Sequence, residues 1–215
     1  MSAVDVQENK QVKQNIGCPC GRNFSVEIEE EIDLDQKPER LEEINGGTFM
    51  SFTCPNCGKK HKPEYKITLL WKSKNLKLEV LPELERGEFY RNKKETVSLE
   101  TIIGYPEMAD RIAVIKDDLE PAAIETLKYY LLVKAEENYP DREINVWYHG
   151  KDSGGVEFHL NGIREDEVAV MKVPLQVYEK TIKDYRKHPK NEIFTSLRCR
   201  SYLSVQNIYR PDALK

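Results

Sequence analysis

Four of the five cysteines in this chain stand in two tight pairs, Cys18-Pro19-Cys20-Gly21 and Cys54-Pro55-Asn56-Cys57-Gly58. In a cytosolic chain, close pairs of this kind serve as metal ligands more readily than as a disulfide framework. The two-residue spacer lets the thiolates of Cys54 and Cys57 face one ion, and Gly58 tolerates the tight turn whose amides can point at the sulfurs. A second pair upstream, also at the mouth of an expected strand, supplies two more ligands. Four thiolates satisfy the tetrahedral preference of structural zinc and leave no open position for a substrate. Iron held by the same four thiolates is chemically admissible. The first pair is one residue shorter than the usual knuckle. His61, four residues after Cys57, is therefore a spare ligand should Cys20 fall short of the ion. Cys199 lies among Leu197, Tyr202 and Leu203 and reads as a small core residue.

With 215 residues, the chain can bury about 70% of the surface its unfolded form exposes, so a core needs no disulfides. Hydrophobic residues at 39% and charged ones at 33% fit a soluble globular protein and exclude disordered, collagenous and membrane classes. Apolar runs such as 129–133 are too short to span a bilayer, and residues 1–15 lack the apolar core of a signal peptide. A cytoplasmic setting is expected.

Residues 1–16 are polar and aperiodic and read as a flexible tail. Phe24, Val26, Ile28 and Ile32 then alternate with Ser25, Glu27, Glu29 and Glu31, the pattern of a half-buried strand with an acidic outer face. A short helix is expected over 37–45, entered through Pro38, and a strand over 48–53. Tyr65, Ile67, Leu69 and Trp71 form one arm of a hairpin, Leu76, Leu78 and Val80 the other, with 72–75 as the turn. Residues 82–97 are charged and aperiodic and read as a connection.

Beyond it the character changes. Met108, Ile112 and Ile115 suggest a helix entered at Pro106. Ile124, Leu127, Leu131 and Ala135 line a second helix that starts at Pro121. Three strands, 144–149, 156–160 and 168–173, precede a last helix with the inner stripe Leu175, Tyr178, Ile182 and Tyr185. The fold class is α+β: a zinc-ribbon-like four-cysteine β module over 17–96, followed by an α/β unit over 97–215 with helices around a three-stranded antiparallel sheet.

Several of these residues resemble a family. The Cys54–Gly58 motif, preceded by Ile44-Asn45-Gly46-Gly47-Thr48-Phe49 and by Cys18–Gly21, is similar to the bacterial and archaeal CpXC domain. So is the hairpin ending in Leu76-Lys77-Leu78-Glu79-Val80-Leu81-Pro82. Downstream, Asp110 to Leu119 and Ile124-Glu125-Thr126-Leu127-Lys128 resemble the segment that often follows that domain. The resemblance spans residues 16–140 and implies a metal-binding module without an established biochemical activity.

Two weaker signals remain. Residues 59–77 carry seven lysines against one acid, in a chain of net charge −4. Lys66, Lys72 and Lys74 on the hairpin are candidate phosphate contacts, although Tyr65 and Trp71 share the parity of Ile67 and Leu69 and so face inward. In the second unit, a hairpin looping through Gly150 to Gly154 would pair Tyr148 with Val156 and Val146 with Phe158. That register sets His149 and His159 about 13 Å apart at about 3.3 Å per residue, too far for one metal. The leading functional reading is a non-enzymatic cytoplasmic adaptor that contacts another protein and whose zinc is structural. A nucleic-acid-binding regulator using the lysine hairpin comes second, and an enzyme with its site on 144–160 third.

Overall fold

The computed structural model describes residues 11–92 and 99–208, which divide between two compact units. Among the described residues, the first comprises 11–86 with 101–105, and the second 87–92 and 99–100 with 106–208. The junction expected at 96/97 lies outside the described residues.

In the first unit, β1 (Gln11–Gly17) and β2 (Asn23–Glu29) form an antiparallel hairpin whose turn carries the first cysteine pair. Residues 11–16, expected as tail, are therefore strand. Four of their six side chains are polar; Val12 is half-buried, Ile16 is buried and the backbone is held by β2. Two apolar residues four apart are too few for a search for hydrophobic period to detect. After β3 (Glu31–Asp33) and α1 (Pro38–Asn45), a second small hairpin, β4 (Phe52–Thr53) and β5 (Lys60–His61), carries the second pair. The strand expected over 48–53 is reduced to β4, because residues 48–51 bend through Met50 at positive φ.

β6 (Ile67–Trp71) and β7 (Leu76–Leu81) form the expected hairpin, turned through Asn75 in the left-handed conformation that asparagine tolerates. β3 pairs parallel with β6, and β8 (Glu100–Ile103) lies next to β7, so the strands of this unit run in the order β3-β6-β7-β8. Ile32, Leu69, Leu78, Val80 and Ile103 bury its centre. The acidic outer face holds only in part: Glu29 is buried and bonded to Lys37 and Arg40.

The second unit takes in all but the first residue of α2 (Arg86–Arg91), a helix inside the segment expected to be a bare connection. Its aromatic residues anchor it: Phe89 packs edge-on to Tyr202 at 5.6 Å, and Tyr90 Oη donates to Asn207 Oδ1 at 2.9 Å. α3 (Tyr105–Lys116) and α4 (Pro121–Asn138) follow, then β9 (Asn145–Asp152), β10 (Gly155–Arg164) and β11 (Glu167–Pro174) in an antiparallel sheet ordered β9-β10-β11. α5 (Leu175–Lys187) and α4 pack on its inner face over Val146, Tyr148, Val156, Phe158 and Leu160. α6 (Glu192–Ser196) and a small hairpin of β12 (Arg198–Cys199) and β13 (Tyr202–Leu203) complete the unit. Cys199, expected in the core, is half-buried on β12.

The β9–β10 register differs from the expected one. Asp152 Oδ1 accepts from the amides of Gly154 and Gly155 at 2.7 and 3.1 Å, closing a two-residue turn at 153–154. That turn pairs Asp152 with Gly155. Continued unbroken, it would set core-facing Tyr148 opposite solvent-facing His159. A bulge between the Glu157 and Phe158 pairings removes the conflict, so that Tyr148 faces Phe158 and Val146 faces Leu160. His149 is the extra residue.

Buried charges tie α3 to α4. Lys128 Nζ bonds Asp110 and, at 2.8 Å, Glu125; Asp110 accepts the Tyr148 amide and Glu125 the Val205 amide. Arg111 pairs with Glu100 and donates to the Leu203 carbonyl at 2.7 Å. Burial pushes the Asp110 carboxyl up, while Lys128 and Arg111 overcome the same penalty at Glu125 and hold it down.

Candidate metal centre

Both cysteine knuckles close through their own backbone. The Cys18 amide donates to the Arg22 carbonyl and the Gly21 amide returns to the Cys18 carbonyl, each at 2.9 Å. In the second knuckle the Cys54 amide reaches Lys59 and the Gly58 amide returns to Cys54, at 2.9 and 3.0 Å. Gly21 and Gly58 take φ of 86° and 73°, a conformation costly for a side-chain-bearing residue. The shorter first spacer thus preserves the closure and removes one residue between the ligands.

The closure brings all four sulfurs within 4.8 Å of one another. Cys18 Sγ lies 3.5 Å from Cys57 Sγ, and Cys20 Sγ 3.8 Å from Cys54 Sγ. An ion bound tetrahedrally by four thiolates at about 2.3 Å needs sulfurs about 3.8 Å apart. These separations are of that size. Cys18 and Cys54 are buried and Cys20 and Cys57 exposed, so the cluster sits at the edge of the first unit's core. The donor set can therefore hold a metal ion. No His61 nitrogen joins the group; the His61 ring packs edge-on to Phe24 at 5.8 Å.

The electrostatics of the four thiols are uneven. Cys20 is drawn down to about 6 by the Asn56 side chain, the Arg22 amide and the Cys18 thiol. At Cys54, burial works against ionisation, but the amides of Cys57 and Asn56 outweigh it and lower the thiol. Cys18 is pushed up to about 12: the Cys20 amide pulls it down, yet burial and the surrounding thiols prevail. Three thiols crowding a fourth is the field that a cation would relieve. Asn56 Nδ2 stands 3.5 Å from Cys20 Sγ, a contact hidden in the sequence because it joins the x of one knuckle to the second cysteine of the other.

The CpXC protein family model matches residues 16–128, which include both knuckles. The chain belongs to the CpXC family. It is also 33% identical over 217 residues to an uncharacterised protein of Treponema pallidum (strain Nichols), covering 89% of this chain and 96% of that one. No solved structure matches the chain. The CpXC match ends inside α4 at Lys128, so it takes in the Asp110–Glu125–Lys128 cluster but stops before the β9–β11 sheet.

The candidate phosphate-binding lysines are engaged elsewhere. Lys66 Nζ pairs with Glu79 and Lys72 Nζ with Asp33, both at 2.8 Å, and Lys74 Nζ lies 5.9 Å from the Trp71 ring centroid. On the other hairpin, the bulge overturns the expected separation of the two histidines: the His149 and His159 rings stack with centroids 3.7 Å apart. The sequence shows both residues and the Asp-Ser-Gly-Gly turn, but a bulge is visible only once that turn is seen to conflict with the parity of the core.

Proposed function

We propose that this CpXC protein is a non-enzymatic zinc protein in which Cys18, Cys20, Cys54 and Cys57 hold one structural ion, and that the module so formed is a cytoplasmic docking unit for another protein. The size of the sulfur cluster carries the metal half of this reading. Zinc is favoured over iron because it needs no redox partner and accepts four thiolates in a closed site. Cys20, with its lowered thiol and its Asn56 contact, completes the set in place of His61. Free thiols at metal-ligand spacing suit a reducing compartment, which supports the cytoplasmic setting.

A protein partner is favoured over a nucleic acid by charge. The chain is net −4, and Lys66 and Lys72 already answer Glu79 and Asp33. Phosphate contact would require breaking both pairs. Co-purification from the native cells, with wild type and Cys20→Ser side by side, tests the reading. A protein retained by the wild type and lost with the ion supports it; a nucleic acid retained instead overturns it.

A further inference from the structure

On the outer face of the second unit's sheet, His149, Glu157 and His159 present two imidazoles and a carboxylate whose ligand atoms lie within 4.8 Å of one another. His159 is paired directly with Trp147 across β9, and the bulge lets His149 and Gly150 together oppose Glu157. Gly150 sets no side chain beside Glu157, and the His149 ring reaches to 3.8 Å from its carboxylate. Bulges recur where a side chain must be re-aimed near a functional site, and this one swings His149 onto His159.

Both histidines aim the same atom at the same oxygen. His159 Nε2 lies 3.3 Å and His149 Nε2 3.8 Å from Glu157 Oε1. A tetrahedral ion with about 2.0–2.1 Å to nitrogen and oxygen needs ligands about 3.3–3.4 Å apart. Of the three edges such a site needs, that between His159 and Glu157 already has this length. The two imidazole nitrogens lie within 4.8 Å, and the exposed His149 ring would turn out of its stack on His159 to aim Nε2 at the ion. Lys172, paired across the sheet with Glu157, turns its ammonium to Asp152 instead, so Glu157 is not spoken for by that cation. Side-chain exposures of 57% for His149, 32% for Glu157 and 28% for His159 leave the ligands open to ions from solvent.

We propose that His149, Glu157 and His159 form a second metal site, which takes a zinc-type divalent ion and keeps one coordination position open to water. Two imidazoles with one carboxylate suit zinc and its first-row neighbours, whereas calcium and magnesium call for oxygen ligands throughout. The site differs in kind from the four-thiolate cluster: it is exposed, exchangeable and unsaturated, and it lies outside the stretch matched by the CpXC model.

The test uses the full chain. Protein dialysed against a weak chelator, so that only tightly held metal remains, is then equilibrated with zinc chloride at tens of micromolar and its metal counted. Wild type should take up one further equivalent. His149→Ala and His159→Ala should each weaken that uptake by more than about tenfold, since even the loss of an outer-shell partner costs 10–100-fold. Glu157→Gln, which keeps the shape of the side chain, should weaken it too. Of the four histidines, only the ring signals of His149 and His159 should move on zinc addition in NMR spectra, with those of His61 and His188 unchanged. Absence of a further equivalent in the wild type would overturn the proposal. So would an equivalent that survives both histidine substitutions. Neither result would touch the thiolate reading, which concerns the metal left after chelator dialysis.

Discussion

Cys20 Sγ lies 3.8 Å from Cys54 Sγ although its knuckle has one residue fewer between the cysteines. The shorter turn works because each knuckle closes on a positive-φ glycine after its second cysteine, and because Asn56 and the Arg22 amide support the Cys20 sulfur from outside. Cys20 is thereby a ligand candidate equal to the other three.

Removal of a ligand should act on one unit. Cys57→Ser is expected to abolish tight metal retention and to unfold the first unit, because metal binding is folding free energy for a small metal module. The second unit, with its own sheet, helices and buried charges, should persist. Amide exchange resolved by residue checks this; uniform loss of protection in both units would contradict it.

The support of Cys20 from outside can be tested more gently. Asn56→Ala removes the side-chain amide near Cys20 Sγ and leaves all four sulfurs in place. Competition with a chromophoric chelator should show metal affinity reduced about 10–100-fold with the fold intact. Unchanged affinity would mean that Asn56 only fills space.

Much of this was legible from residue order. The two knuckles, the β6–β7 hairpin, α4 and α5 follow from spacing, parity and helix-entry prolines. What escaped depends on partners distant in sequence. β1 is a strand because β2 lies beside it, and α2 is a helix held by Tyr202 and Asn207 more than a hundred residues later. Asp110, Glu125 and Lys128 look like ordinary solvent-facing helix charges until α3 and α4 bury them against one another.

That buried cluster gives a third prediction. Lys128→Met leaves Asp110 and Glu125 buried without their shared cation, and should destabilise the second unit by about 3–5 kcal/mol. Denaturant unfolding in a Trp71→Phe background, where Trp147 is the sole tryptophan, checks it by tryptophan fluorescence. A loss under about 1 kcal/mol would show that the charges relax or neutralise at little cost.

Glu29 supplies a pH dependence. Burial alone would raise its carboxyl, but hydrogen bonds from Lys37 and Arg40 outweigh burial and hold it below the ordinary value. A depressed folded-state value stabilises the fold above the ordinary glutamate value of about 4.3, and that contribution fades as pH falls toward the folded value. Glu29→Gln should therefore cost about 1–2 kcal/mol at neutral pH and progressively less in acid below that value. Stability curves of the two proteins that stay parallel into acid would contradict the assignment.

The lysine hairpin is expected to be inert toward polyanions. At physiological salt, wild type should show no appreciable RNA or DNA binding, and Lys66→Glu with Lys72→Glu and Lys74→Glu should change nothing. If it does bind, each lost contact should flatten the slope of log affinity against log salt by about 0.7–0.9. Micromolar binding abolished by the triple substitution would move nucleic-acid recognition to first place.

X-ray absorption at the zinc edge tests the four-thiolate ion most directly. Protein dialysed against a weak chelator should retain one zinc per chain, with a first shell of four sulfurs at about 2.3 Å. A shell containing a nitrogen, with Cys20 left out, would contradict the assignment of Cys20. Freshly reduced protein that retains no metal would contradict the account itself.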